Sequence, residues 1–140
     1  MFPELDKISL RIRFKKLRGS LAEYDDRSRR IDIDPRPFQR DATNLLPSVL
    51  GHETMHAVQH IDRSVPYGER SCDIFTLARL PDNFFPTVRD FYVKVPQRVL
   101  SHPSLIRETA KKAIAMRAAG TRRYIIWFEK ELRKISLMQN

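Results

Sequence analysis

The sequence predicts an α+β fold: a small N-terminal antiparallel sheet followed by helices, in a single domain over residues 1–140. Three observations predict it. KISLRIRF (7–14) sets Ile8, Leu10, Ile12 and Phe14 against Ser9, Arg11 and Arg13, the two-residue period of a half-buried strand. After residue 44 the apolar positions change to helical spacing. A chain of 140 residues, 41% hydrophobic and 31% charged, suffices for one core and hardly for two.

Gly19 ends the first strand. SLAEYD (20–25) and RIDID (30–34) flank DRSR and read as a hairpin, with Ile31 and Ile33 inward and Asp32 and Asp34 outward. Pro35 and Pro37 close the sheet. Asp41, Thr43 and Asn44 offer caps for a helix reaching about Ile61, whose apolar faces come from Val49, Leu50, Met55, Ala57 and Val58. Arg63 to Gly68 is a loop. A second helix covers about Glu69 to Leu80, with Ile74, Leu77 and Ala78 as its core stripe. PDNFFPTVRDFYVKVP (81–96) is punctuated by proline and reads as irregular, with a short extended piece at Phe91 to Val95. Pro103 and Ser104 start a helix carrying Leu105, Ile106, Ala110, Ala113 and Ile114 at helical spacing, and Gly120 ends it. Thr121 caps a last helix with Tyr124, Ile125, Phe128, Leu132 and Ile135 on one side.

Composition narrows the function. The longest uninterrupted apolar run, Tyr124 to Phe128, is far short of a membrane span. MFPELDKISLRIRFKK carries too much charge for a secretory signal, so a cytoplasmic address is expected by default. Cys72 is the only cysteine, which excludes an internal disulfide. The net charge of +9 is uneven: residues 1–97 carry 16 basic and 14 acidic side chains, residues 98–140 carry 10 and 3. A basic helical C-terminal part of this kind suits an acidic partner, nucleic acid being the commonest, or serves as a solvated face.

GHETMHAVQH (51–60) holds three of the four histidines. His52, Glu53 and His56 form H-E-x-x-H. Residues four apart on a helix differ by about 40° of rotation and one turn of rise, so both imidazoles can chelate one zinc ion. Glu53 then sits beside the ion and can take a proton from a bound water without becoming a ligand. Shuffling this composition produces the motif on the order of once in two hundred chains.

Three residues compete as third ligand. His60 extends the same helix, roughly 12 Å along the axis from His52, too far for three imidazoles to share an ion. Asp62 stands six residues after His56, where H-E-x-x-H-x-x-G-x-x-H/D proteases keep a ligand. Those enzymes turn the chain at a glycine three after the second histidine; here that residue is Gln59, and a non-glycine turn costs about 1–2 kcal/mol. Glu69 follows the breakers Pro66 and Gly68 and opens the next helix. A helix returning antiparallel would bring its carboxylate to the open side of the metal. Asp73, one turn later, could accept the second ring N–H of a ligand histidine. Glu69 is the favoured ligand and Asp62 the alternative.

GHETMHAVQ (51–59) with ERSCD (69–73) resembles the gluzincins, zinc metallopeptidases with H-E-x-x-H followed by E-x-x-x-D, closest in flavour to the thermolysin and HtpX-like type. The resemblance implies zinc on His52, His56 and Glu69, Glu53 as general base, Asp73 supporting a ligand, and hydrolysis of peptide bonds in a peptide or protein substrate. In this class a strand edge ahead of the metal helix holds the substrate as an added strand, which the sheet at 7–34 could supply. Tyr67, in the short loop between the helices, is the candidate oxyanion donor, with Tyr92 and Arg89 behind it. His102 corresponds to the kind of distant third ligand that SprT-like proteases use. Cys72 reads as a small buried side chain.

The competing reading is a nucleic-acid-associated protein in which residues 98–140 do the binding and zinc is structural. Structural sites are closed by four protein ligands, whereas three histidine or carboxylate ligands leave a position open. That favours catalysis. The two readings also merge, as a protease acting on nucleic-acid-bound proteins.

Overall fold

The computed structural model describes residues 2–40 and 43–138. Strands β1 (Arg11–Phe14), β2 (Ala22–Asp25) and β3 (Arg30–Ile33) form one sheet in the order β1-β3-β2. Helices α1 (Leu45–Ile61), α2 (Glu69–Leu77), α3 (Pro103–Ala118) and α4 (Tyr124–Met138) follow, with 3-10 turns at Asp82–Phe84 and Gln97–Ser101 before α3. The order of sheet then helices is the expected α+β arrangement.

The sheet itself is mixed, which corrects the antiparallel expectation. β2 and β3 form the hairpin, Ala22 opposite Ile33 and Asp25 opposite Arg30. The Asp25 carboxylate holds their turn by accepting from the Arg27 N–H (3.1 Å) and the Ser28 hydroxyl (2.6 Å). β1 runs parallel to β3, Arg11 beside Arg30 and Phe14 beside Ile33. Residues 15–21 carry the chain past the place of β3, so the first and third strands end up adjacent and point the same way. Periodicity reports which residues alternate and says nothing of which strand becomes the centre.

The first strand is also shorter than its alternation suggests, because Pro3–Lys7 is a 3-10 turn. α1 packs on β2 and β3 rather than on β1. Ile12 and Phe14 therefore lie 50% and 64% exposed on an edge strand, not half-buried. Ile31 and Ile33 are buried with Ala22 against Leu46, Val49 and Leu50. Asp32 and Asp34 leave the core as expected, yet neither is solvated. Arg13 (2.9 Å), Lys15 (2.9 Å) and Arg30 (2.8 Å) cover Asp32. Arg36 and the Leu17 N–H (3.0 Å) hold Asp34.

The Asn44 side chain does not cap α1. Asn44 sits at φ +54°, and its amide donates to the carbonyls of Asn83 and Phe85, both at 3.2 Å. The candidate cap Asp41 lies outside the described residues. α1 and α2 approach closely at Gly51, where a Cβ would come within 2.8 Å of the Thr76 methyl. α2 ends at Leu77, short of Leu80, because the Arg79 and Leu80 N–H groups both return to the Thr76 carbonyl. The stretch Phe91 to Val95 forms no strand, but Val93 and Val95 are buried in the helical core. That core joins Ile74 and Leu77 of α2, Ile106, Ala110 and Ala113 of α3, and Tyr124, Phe128 and Leu132 of α4. The basic C-terminal part is thus packed on the domain. Thr121 caps α3 rather than α4: its N–H donates to the Met116 carbonyl at 2.9 Å, beside Gly120 at φ +98°. Among the described residues no helix is long and apolar enough to cross a membrane.

Candidate metal centre

α1 sets His52 and His56 one turn apart, ring centroids 4.9 Å apart and nearly perpendicular. Glu69 meets His56, Asp73 meets His52 and Thr76 meets Gly51, so α2 runs back along α1 in the opposite direction. This antiparallel return brings three donor atoms together. Glu69 Oε2 lies 2.8 Å from His52 Nε2 and 3.1 Å from His56 Nε2.

The other ring nitrogens are held from behind. His52 Nδ1 is 2.8 Å from Asp73 Oδ1, and the second Asp73 oxygen accepts the Val93 N–H at 3.0 Å. His56 Nδ1 is 3.1 Å from Gln59 Oε1, while the Gln59 amide donates to the Pro66 carbonyl at 2.5 Å. With both Nδ1 atoms held from behind, each Nε2 is the nitrogen that faces Glu69, and its lone pair is the one a metal ion would take. Two imidazole nitrogens and a carboxylate oxygen, with Glu69 half-exposed, form a three-ligand set with an open side. Those residues fit a zinc ion.

A second donor set, His52, His56 and Cys72, also lies within 4.8 Å. Its chemistry is poorer. The Cys72 sulfur sits 3.4 Å from His56 Nδ1, the nitrogen Gln59 already holds. Burial, with the carboxylates around it, pushes the thiol far above its ordinary pKa.

The electrostatics favour a cation. Burial raises the pKa of Glu53, partly offset by the two histidines, and the Tyr24 main-chain N–H points at its carboxylate. Burial alone would lower the pKa of His52, but the hydrogen bond and charge of Asp73, with Glu69 adding to them, raise it to about 9. Burial opposes ionisation of Glu69 too, and its hydrogen bonds to the histidines outweigh that and lower its pKa. Asp90 is pushed up by burial and then by Asp73. Among the described residues no lysine or arginine forms an ion pair with Glu53, Glu69, Asp73 or Asp90.

The other candidates stand at different distances from this trio. Tyr92 stacks on the His52 ring, centroids 5.5 Å apart, and burial and the nearby carboxylates raise its pKa, so its phenol stays a donor. Tyr67 packs edge-on against His60 (6.0 Å), which in turn touches Tyr24 (5.7 Å). Asp62 ends α1 and accepts from the Ser64 N–H at 2.9 Å, with Lys7 and Arg79 as its charged neighbours. His102 is exposed beside Ser101. Arg89 lines a groove against α4.

A cavity of about 390 Å³ adjoins His52, lined by Ala22, Ser48, Thr76 and Asp90. The β2 edge borders it. The Asp34 N–H donates to the Leu21 carbonyl (3.0 Å), so odd-numbered residues of β2 bond to β3, and Ala22 and Tyr24 turn their main-chain groups away from the sheet. Sequence reasoning missed Gln59 and Asp90. Gln59 had a legible signal, since it lies three residues after His56 and so shares its face of α1. Asp90 had none. No protein-family model matches the chain, and neither a curated protein nor a solved structure matches it.

Proposed function

We propose that the protein is a zinc-dependent metallopeptidase, with zinc held by His52, His56 and Glu69. One observation carries the reading: a single carboxylate oxygen lies within 3.1 Å of two Nε2 atoms whose partner nitrogens are tied back to Asp73 and Gln59. Zinc bound there supplies a Lewis acid and lowers the pKa of coordinated water. Glu53 takes the proton of the attacking water and hands it to the leaving amine. Its raised pKa suits that exchange, because a carboxylate poised closer to neutrality both accepts and returns a proton. The Tyr24 N–H orients it. Ala22, through its N–H and carbonyl, and Tyr24, through its carbonyl, offer main-chain groups to a substrate laid as an added strand along the β2 edge. Tyr92, protonated and lying on His52, is the better-placed donor to the carbonyl oxygen; Tyr67 remains the alternative.

The test is Glu53→Gln beside Glu69→Ala. Glu53→Gln should keep zinc and lose about 10²–10⁴ in the rate of peptide hydrolysis. Glu69→Ala should lose zinc, with Asp62→Ala keeping it. A Glu53→Gln protein that cleaves at the wild-type rate, or an Asp62→Ala protein that alone loses zinc, sinks the assignment. A second reading, nucleic-acid association, draws support from Lys112, Arg117, Arg122 and Arg123, all exposed around the α3–α4 turn. Binding there would weaken steeply with salt, each neutralised phosphate of duplex DNA contributing about −0.9 to the log–log slope.

A further inference from the structure

Between the 89–96 segment and α4 lies a groove of about 910 Å³, larger than the cavity beside His52. On α4, Ile126, Lys130, Arg133 and Leu137 fall at successive helical repeats and share the groove. Both apolar residues are exposed, Ile126 at 44% and Leu137 at 65%. Arg89 and Lys94 face them from the other wall. None of the four cations forms an ion pair among the described residues. The one acid in the groove, Glu129, is already engaged by Arg70 (2.6 Å) and by the Lys94 N–H (2.9 Å). The groove is thus a cationic channel with an apolar patch at each end of its α4 wall. It adjoins the cavity beside His52, since Phe91 and Tyr92 line both.

We infer that this groove binds an acidic, leucine-containing stretch of a polypeptide substrate and leads the neighbouring residues past Tyr92 to the metal centre. The inference rests on the peptidase reading and adds a substrate class to it. Charge complementarity selects an anion: four unpaired cations meet no available carboxylate. Two features select a peptide over a nucleic acid. The apolar side chains that α4 adds to the groove are aliphatic, and the exposed ring of Tyr92 on the other wall already stacks on His52, whereas single strands need free aromatic platforms on which bases stack. The cavity that shares Phe91 and Tyr92 with the groove is lined by Asp73 and Asp90, which repel a backbone charged at every unit. A peptide can be acidic in the groove and neutral at the cleft.

The probe is a fluorescein-labelled peptide of leucines spaced by glutamates and serines, titrated by anisotropy into the full-length Glu53→Gln protein, which should not consume it. The controls are the same peptide with lysine for glutamate, and a labelled oligothymidylate. The acidic peptide should bind and the lysine peptide should not. Lys130→Glu with Arg133→Glu should weaken binding about tenfold or more at low salt. Arg122→Glu with Arg123→Glu should leave it unchanged. The exposed Arg89→Glu with Lys94→Glu is an independent pair from the opposite wall, expected to act alike. In an otherwise wild-type background, Lys130→Glu with Arg133→Glu should not alter cleavage of a short neutral peptide. Failure of the acidic peptide to bind overturns the inference, as does binding that both groove pairs leave unchanged. Oligothymidylate binding that the groove pairs abolish overturns it as well. If the acidic peptide binds as described and no peptide is ever hydrolysed, the groove stands and the peptidase reading falls.

Discussion

Asp32 and Asp34 behind β3, and Glu53, Glu69, Asp73 and Asp90 around the histidines, are two groups of acids with different counter-charges. Under the sheet, guanidinium and ammonium groups supply the charge, three of them on Asp32 alone. The Arg13 hydrogen bond holds Asp32, and the Arg36 hydrogen bond holds Asp34, well below the usual carboxylate range. In the cleft the basic partners among the described residues are two imidazoles, and Glu53 and Asp90 are pushed upward instead. Permanent cations make a finished structural pair. Imidazoles, whose charge is optional, leave room for another cation, and the difference separates scaffold from site.

The contrast breaks most openly at His56. His56→Ala should abolish zinc binding, measured as metal per chain after dialysis, while the fold persists by circular dichroism. Zinc retained at the wild-type level would make the cleft acids structural like those under the sheet. The tyrosines come next. Loss of an oxyanion donor costs about 10²–10³ in kcat. Tyr92→Phe should show that loss and Tyr67→Phe should leave the rate near wild type; the reverse order returns the role to Tyr67.

Smaller effects sharpen the comparison. Asp73→Asn should weaken zinc affinity about 10–100-fold, read by competition with a chelator, and Gln59→Ala by less, because a neutral amide orients His56 where a carboxylate orients His52. A Gln59 effect exceeding that of Asp73 would reverse the ranking of the two imidazoles. The smallest change is expected at Asp32→Asn. Its partners Arg13 and Lys15 are 48% and 41% exposed, so solvent screens the pairs and about 1 kcal/mol is at stake. Because the folded-state pKa is depressed, that stability is complete above the ordinary carboxylate pKa near 4 and is lost as pH falls below it. Denaturant midpoints from about pH 6 down to about pH 2 should therefore decline less in Asp32→Asn than in wild type. Parallel declines would show that the pairs add no net stability.

Local chemistry carried most of what the sequence revealed. Pro66 and Gly68 mark the break after α1, and α2 starts at Glu69 as that break requires. Asp73 reaches His52 because i and i+4 on a helix share a face. What stayed hidden depends on long-range packing. The parallel pairing of β1, the exposure of Phe14, and the placing of Tyr92 on His52 are all set by contacts between distant segments, and no periodicity encodes them. Tyr92 illustrates the limit well: its position follows from the Val93 N–H docking on Asp73, a bond between an irregular strap and a helix.

The mixed sheet has two free edges, and they differ in sociability. Arg11 and Arg13 of β1, and Lys15 just after it, alternate with the exposed Ile12 and Phe14 along this edge. A second copy seeking to extend the sheet there would bring cation against cation, which is how natural sheets deter edge-to-edge growth. β2 carries no such guard, and its outward main-chain groups at Ala22 and Tyr24 border the cleft instead of open surface. The apolar residues left bare on β1 are therefore tolerable only because arginines and a lysine police them, and the chain can leave its other edge available without inviting its own aggregation.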